Sequence, residues 1–115
     1  MNNRPSSAET DTNDMLQQVG AATQLLKQLA NENRLLILCS LVSGELSVGE
    51  LNESLPLSQS ALSQHLASLR QAGLVVTRRQ GQTIYYKLNE DSQHQTRNPA
   101  VAVIETLQAI YCPEH

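Results

Sequence analysis

Two cysteines, Cys39 and Cys112, are the most reactive side chains in this 115-residue sequence, and they lie far apart in the chain. No C-x-x-C spacing pairs two thiols locally, so the dithiol turnover of an oxidoreductase is not indicated. Taken alone, a cysteine inside an apolar run such as RLLILC reads as a small hydrophobe. Histidines and carboxylates are scattered: Asp91 and His94 share one polar stretch, and His115 stands far from both. A closed metal site needs about four converging ligands, so no metal and no cofactor are expected. No Ser-His-Asp or paired-carboxylate arrangement stands out, and the chain does not read as an enzyme. A different chemistry is carried by SQSALSQHLASLR, where Ser58, Gln59, Ser60, Ser63, Gln64 and Arg70 supply short polar groups and a cation with no acid among them. Glutamine pairs bidentately with adenine and serine donates or accepts, which suits the edges of bases in a DNA major groove. Further on, Arg78 and Arg79 stand near Gly81, placed at a turn where they can reach phosphates or the minor groove. Considered alone, these arginines also fit ordinary solvated turn charges. His65 lies beside the apolar stripe of its segment and reads as a packing residue.

The charge distribution supports the DNA reading more than the total does. The formal net charge is −3, a poor advertisement for a polyanion's partner. From Ser54 through Asn89, however, there is no acid, while Arg70, Arg78, Arg79 and Lys87 are all present; the other four basic residues and all eleven acids lie outside. That acidic balance elsewhere also motivates an alternative, a winged-helix protein-interaction module independent of metal. Residues 1–13 have almost no apolar side chains and are expected to form a flexible tail. Neither a secretion-type apolar core nor a membrane-length run is present, so a cytoplasmic protein without membrane contact is expected.

The elements that must position these residues follow from periodicity and caps. Met15, Leu16, Val19, Ala22, Leu25, Leu26 and Leu29 recur at helical spacing and predict an amphipathic helix from about Asp14 to Ala30. Asn31 can cap a second helix, which is apolar from Leu35 to Val42 and stops at Ser43-Gly44. Ser47 and Glu50 form a capping-box pattern for a short third helix from Val48 to about Ser54. Leu55-Pro56-Leu57 breaks it, and Ser58 then caps a fourth helix that ends at Gly73. Two helices joined by a short turn form a helix-turn-helix. In the second of them Leu57, Ala61, Leu62, Leu66 and Leu69 form the inward stripe, leaving Gln59, Ser60, Ser63, Gln64 and Ser68 outward. LVVTRR and QTIYYKL, separated by Gln80-Gly81, predict a β-hairpin wing. After the polar stretch EDSQHQTRN, Asn98-Pro99 starts a last helix with Val101, Ile104, Leu107, Ile110 and Tyr111 on one face. The fold class expected is mainly α with a β-hairpin wing, one winged helix-turn-helix domain over residues 14–115. The apolar stripes of the two terminal helices suit a homodimer, which would present two recognition helices to a palindromic operator.

LLKQLANENRLLILCSL, ELSVGEL, LSQSALSQHLASLRQAGLV and GQTIYYKL together resemble the ArsR/SmtB family of bacterial winged-helix repressors, over more than half the chain. The resemblance implies a dimer through the terminal helices and repression of transcription. Many members sense metals through an ELCVCDL-type motif, whereas this chain has Ser47 and Gly49 at the two cysteine positions, and no metal sensing is expected. A cysteine in the second helix and another at the end of the last helix is similar to the family's dithiol, HlyU/BigR/SqrR-like subgroup. That similarity implies that Cys39 and Cys112 sense oxidants or reactive sulfur, becoming linked by a disulfide or sulfur bridge that changes DNA affinity. The stretch from Glu90 to Asn98 is longer than is usual in that subgroup, and purely structural cysteines are the alternative.

Overall fold

A computed structural model describes the backbone of residues 5–91 and 98–111, with side chains from residue 12 onward. Among the described residues five helices and three short strands follow one another: α1 (Pro5–Leu29), α2 (Glu32–Ser40), β1 (Leu46–Ser47), α3 (Val48–Ser54), α4 (Gln59–Gln71), β2 (Val75–Gln80), β3 (Thr83–Leu88) and α5 (Pro99–Tyr111). The expected caps close the helices. Asn31 accepts from the Arg34 amide at the head of α2. At α3, Ser47 Oγ accepts from the Glu50 amide at 3.1 Å while Glu50 Oε1 accepts from the Ser47 amide at 2.8 Å, a complete capping box. Leu55 turns extended ahead of Pro56, and Ser58 Oγ accepts from the Ala61 amide to start α4. Gly73, at a φ of 78°, lets the chain leave α4 in a left-handed conformation that a side chain would resist.

Two boundaries and one added strand differ from the sequence reading. The first helix begins at Pro5 rather than about Asp14. Proline at a first helical position loses no hydrogen bond, and a polar composition that forbids burial does not forbid a solvated helix. The wing turns on Gly81-Gln82, one residue later than expected, because β2 continues through Gln80, which pairs with Thr83. A third strand, β1, pairs antiparallel with β3 through Leu46 opposite Tyr86 and Ser47 opposite Tyr85, giving the sheet order β1-β3-β2. Two residues are too few to show a strand period.

The core forms where α2, α3, α4 and α5 converge on the root of the wing. Ile37, Leu38, Leu51, Leu62, Leu69 and Ile104 are completely buried, and no described polar side chain is buried with them. Only Leu25 and Leu29 of α1 join this core. The rest of its predicted stripe stays in solvent, with Met15, Leu16, Val19 and Leu26 all more than half exposed, as are Ile110 and Tyr111 of α5. Leu66, 1% exposed on α4, sits at the centre of the packing. Leu66→Ala should lower the unfolding free energy by about 3 kcal/mol in a denaturant titration, since a close-packed core recovers little of such a cavity.

Candidate nucleic-acid interface

Helix α4 divides as its sequence predicted. Leu62, Leu66 and Leu69 point inward and are buried, while Gln59, Ser60, Ser63, Gln64 and Arg70 lie exposed on the opposite side, with Ser58 exposed at the cap. One residue departs from that division: Ser68 is half-buried, and its Oγ accepts from Arg34 Nη2 at 3.0 Å. Arg34 also donates through Nη1 to Gln28, so one guanidinium ties α1, α2 and α4 together. Sequence pattern gave no sign of this, because Arg34 reads simply as a polar residue near a helix start. His65 is half-buried beside the apolar stripe, in keeping with packing.

A hollow opens between α3, α4 and β3, lined among others by Ser63, Ala67, Arg70 and Tyr86. It joins the outward face of α4 to the sheet. Within the wing, Arg78 stands opposite Tyr85 and Arg79 opposite Ile84, and successive strand residues face opposite sides. The two arginines therefore leave the ribbon in different directions. Arg79 is exposed. Arg78 is held: its Nε donates to Glu45 Oε1 and Oε2 at 3.1 and 3.2 Å, its Nη2 also donates to Glu45, and its Nη1 donates to Gln80 Oε1 at 2.8 Å. Its guanidinium carbon lies 4.5 Å from the centroid of the Tyr85 ring. Hydrogen bonding from Arg78 holds the Glu45 carboxyl below the usual carboxylate range, and the same contact raises Arg78. Glu45 escaped the sequence reading because it precedes the acid-free segment and reaches the wing only through the β1-β3 pairing.

Cys39 is half-buried on α2 and packs against the core. It borders an apolar hollow between α2 and α5 with Glu32, Leu35, Leu36, Leu107 and Tyr111. Its carbonyl accepts from Gln108 Nε2 at 3.3 Å, a hydrogen bond between these helices. Cys112, His94 and His115 lie outside the described residues. Among the described residues no helix is long and apolar enough to cross a membrane.

Comparison with known proteins gives concordant matches. Residues 31–77 match the family model for bacterial regulatory proteins of the arsR family. The transcriptional activator HlyU of Vibrio cholerae is 49% identical over 105 residues, covering 91% of each chain. The solved structure of reduced HlyU from that organism superposes with a TM-score of 0.75 at 52% identity, over 86% of this chain and 97% of that one. The transcriptional repressor BigR of Xylella fastidiosa superposes with a TM-score of 0.76 at 36% identity, over 90% and 96% of the two chains.

The ion pair generates a prediction whose sign is fixed by the lowered carboxyl. A group whose folded pKa lies below its unfolded value stabilises the fold above the unfolded pKa and loses that contribution as pH falls through the folded one. NMR titration of the Glu45 carboxyl should give a midpoint below the ordinary glutamate value, returning toward it in Arg78→Ala. The difference in melting temperature between the two proteins should be larger at neutral pH and narrow in acid below the Glu45 midpoint, where only the Gln80 and Tyr85 contacts of Arg78 remain.

Proposed function

The chain belongs to the ArsR family of bacterial regulatory proteins, DNA-binding transcriptional regulators rather than enzymes, and from that premise we propose a dimeric repressor whose operator affinity is switched at Cys39 and Cys112. Regulators of this kind bind double-stranded DNA and usually act as dimers. The observation that carries the DNA reading is the exposed, acid-free side of α4, fixed by the three buried leucines behind it. Gln59, Ser60, Ser63 and Gln64 read base edges in the major groove, and Ser58 with the first amides of α4 meets a phosphate. Arg70 and the wing residue Arg79 contact the backbone, and Arg78 does so when it is released from Glu45. Two copies, paired through the exposed apolar stripes of α1 and α5, match a palindromic operator.

The switch is supported by the position of Cys39 against α5. Tyr111, the neighbour of Cys112 in sequence, borders the same hollow as Cys39. One similar structure is that of HlyU from Vibrio cholerae described as reduced, which supports a redox reading. In the switch two thiols give up two protons and two electrons to an oxidant such as a peroxide, closing a disulfide. A polysulfide oxidises the pair in the same way or leaves additional sulfur in the bridge. Either link joins α2 to the end of α5, where the dimer contact lies. A coupling of about 1 to 3 kcal/mol between link and DNA changes affinity roughly 5- to 150-fold.

Separate measurements address the two halves. Gln64→Ala should weaken binding to an upstream operator duplex about tenfold and relax its sequence preference. Arg79→Ala should weaken binding to all duplexes alike and reduce the salt slope by about two, one contact from each subunit of the dimer. Unchanged affinity in both, or the flat salt dependence of a protein-interaction module, would sink the DNA surface. After diamide or polysulfide treatment, peptide mapping by mass spectrometry should find Cys39 joined to Cys112, with DNA affinity reduced in the same samples. Absence of any such link removes the switch and leaves the DNA reading intact.

A further inference from the structure

The wing presents two adjacent arginines, and the fold treats them differently. Arg79 projects into solvent from one side of the ribbon. On the other side Arg78 is wrapped by Glu45, Gln80 and the Tyr85 ring. The pair spans the central strand: Glu45 immediately precedes β1, Arg78 belongs to β2, and β3 lies between them. We propose that Glu45 occupies the guanidinium fork of Arg78 in place of a DNA phosphate, and so sets operator affinity by withholding the second wing arginine. This rests on the reading of the wing as a DNA-contacting element.

A guanidinium offers its planar donors equally well to a carboxylate and to a phosphate, since both present paired oxygens at matching spacing. Glu45 takes both the Nε and Nη2 edges, and Gln80 takes a donor from Nη1. The Nε/Nη2 fork that would grip a phosphate side-on is thus already filled. The pair is not sealed in, since the side chains of Arg78 and Glu45 are 46% and 33% exposed. Exposed ion pairs are weakly held, so a duplex with its dense phosphate charge can compete for Arg78. That competition has an ionic consequence. While Glu45 holds the fork, Arg78 displaces no condensed counterion from the duplex, and a phosphate that takes Arg78 must first break the pair and leave the carboxylate facing the polyanion. The contact therefore adds little to affinity and little to salt dependence while Glu45 is present. Glu45 also brings a negative charge to a surface otherwise free of acids from Ser54 through Asn89, and Lys87 lies close enough to feel it. Glu45 is thus a positioning residue, acting on DNA through Arg78.

Phosphate contacts do not depend on sequence, so a labelled mixed-sequence duplex of about 30 base pairs serves as the probe. Full-length wild type, Glu45→Gln, Arg78→Ala, Arg79→Ala and the Glu45→Gln/Arg78→Ala double variant are titrated over a range of salt concentrations. Glu45→Gln should bind about fivefold more tightly near physiological salt, with the slope of log affinity against log salt steeper by about 1.8, one phosphate contact from each wing of the dimer. In the Arg78→Ala background the same substitution should give neither gain, and Arg78→Ala alone should cost less than Arg79→Ala. Unchanged or weaker binding by Glu45→Gln overturns the proposal, as does an equal gain in the Arg78→Ala background, which would mark simple charge repulsion. Glu45→Ala provides a second route to the same loss of charge, with thermal melts confirming that each variant is folded. Failure of the underlying wing reading is separately visible, because Arg79→Ala would then leave affinity unchanged too.

Discussion

The rotational setting of α4 in the core is the constraint on which the interface depends. Leu62, Leu66 and Leu69 follow one another at steps of four and three residues and are all essentially excluded from water. A helix turns by about 100° per residue, so a slip of one position would carry Ser63 inward. Each polar group buried without a partner costs about 1 to 3 kcal/mol, and the exposed leucines would forfeit a further 1.5 to 3 kcal/mol or so apiece. The outward presentation of Gln59, Ser60, Ser63 and Gln64 is therefore a consequence of core packing. The Ser58 cap and the break at Pro56 fix where the helix begins, and Gly73 fixes where it ends and the wing starts.

Around that axis the fold distributes cations unequally. Arg34 is drawn into a bridge between Gln28 and Ser68, Arg78 is drawn onto Glu45 and Tyr85, and Arg70 and Arg79 remain exposed. All four belong to or touch the helix-turn-helix and wing, yet they have different tasks. Arg34 orients α4 against the first two helices; Arg70 and Arg79 are available to a polyanion. A count of basic residues treats these as equivalent, while their surroundings make only some of them effective charges for DNA. The same holds for the acids, since Glu45 is distant from the wing in sequence and adjacent to it in space.

Helices α2 to α5 and the hairpin were legible because each is announced by local chemistry: the Asn31, Ser47 and Ser58 caps, the Asn98-Pro99 start, the leucine period of α4 and the β-branched runs flanking Gly81. What was illegible depends on contacts between distant segments. β1 exists through its pairing with β3 and has no period of its own. Ser68 was assigned outward by helical position, and only the approach of Arg34 turns it to a structural task. Glu45 and Arg78 are 33 residues apart, and nothing local to either names the other. The outward face of α4 was readable because polar and apolar residues alternate at the helix's own period. The partition of wing arginines was not, because it follows from strand order.

The apolar surface left over bears on how DNA affinity can be controlled. Met15, Leu16, Val19 and Leu26 along α1 and Ile110 and Tyr111 at the end of α5 remain open to water although the core beneath them is complete. Their burial against a second copy would make the end of α5 an energetic part of the dimer contact rather than a loose terminus. Cys39 sits on the other side of that same helix end, in a hollow that Tyr111 also borders. A covalent link made there would not need to touch α4. By fixing α5 against α2 it would alter the surface on which two subunits meet, and two recognition helices must keep one spacing to engage successive major grooves. Under the proposed switch, control placed at the dimer contact would leave the side chains proposed to read bases unburdened, so sensing and recognition would use different residues.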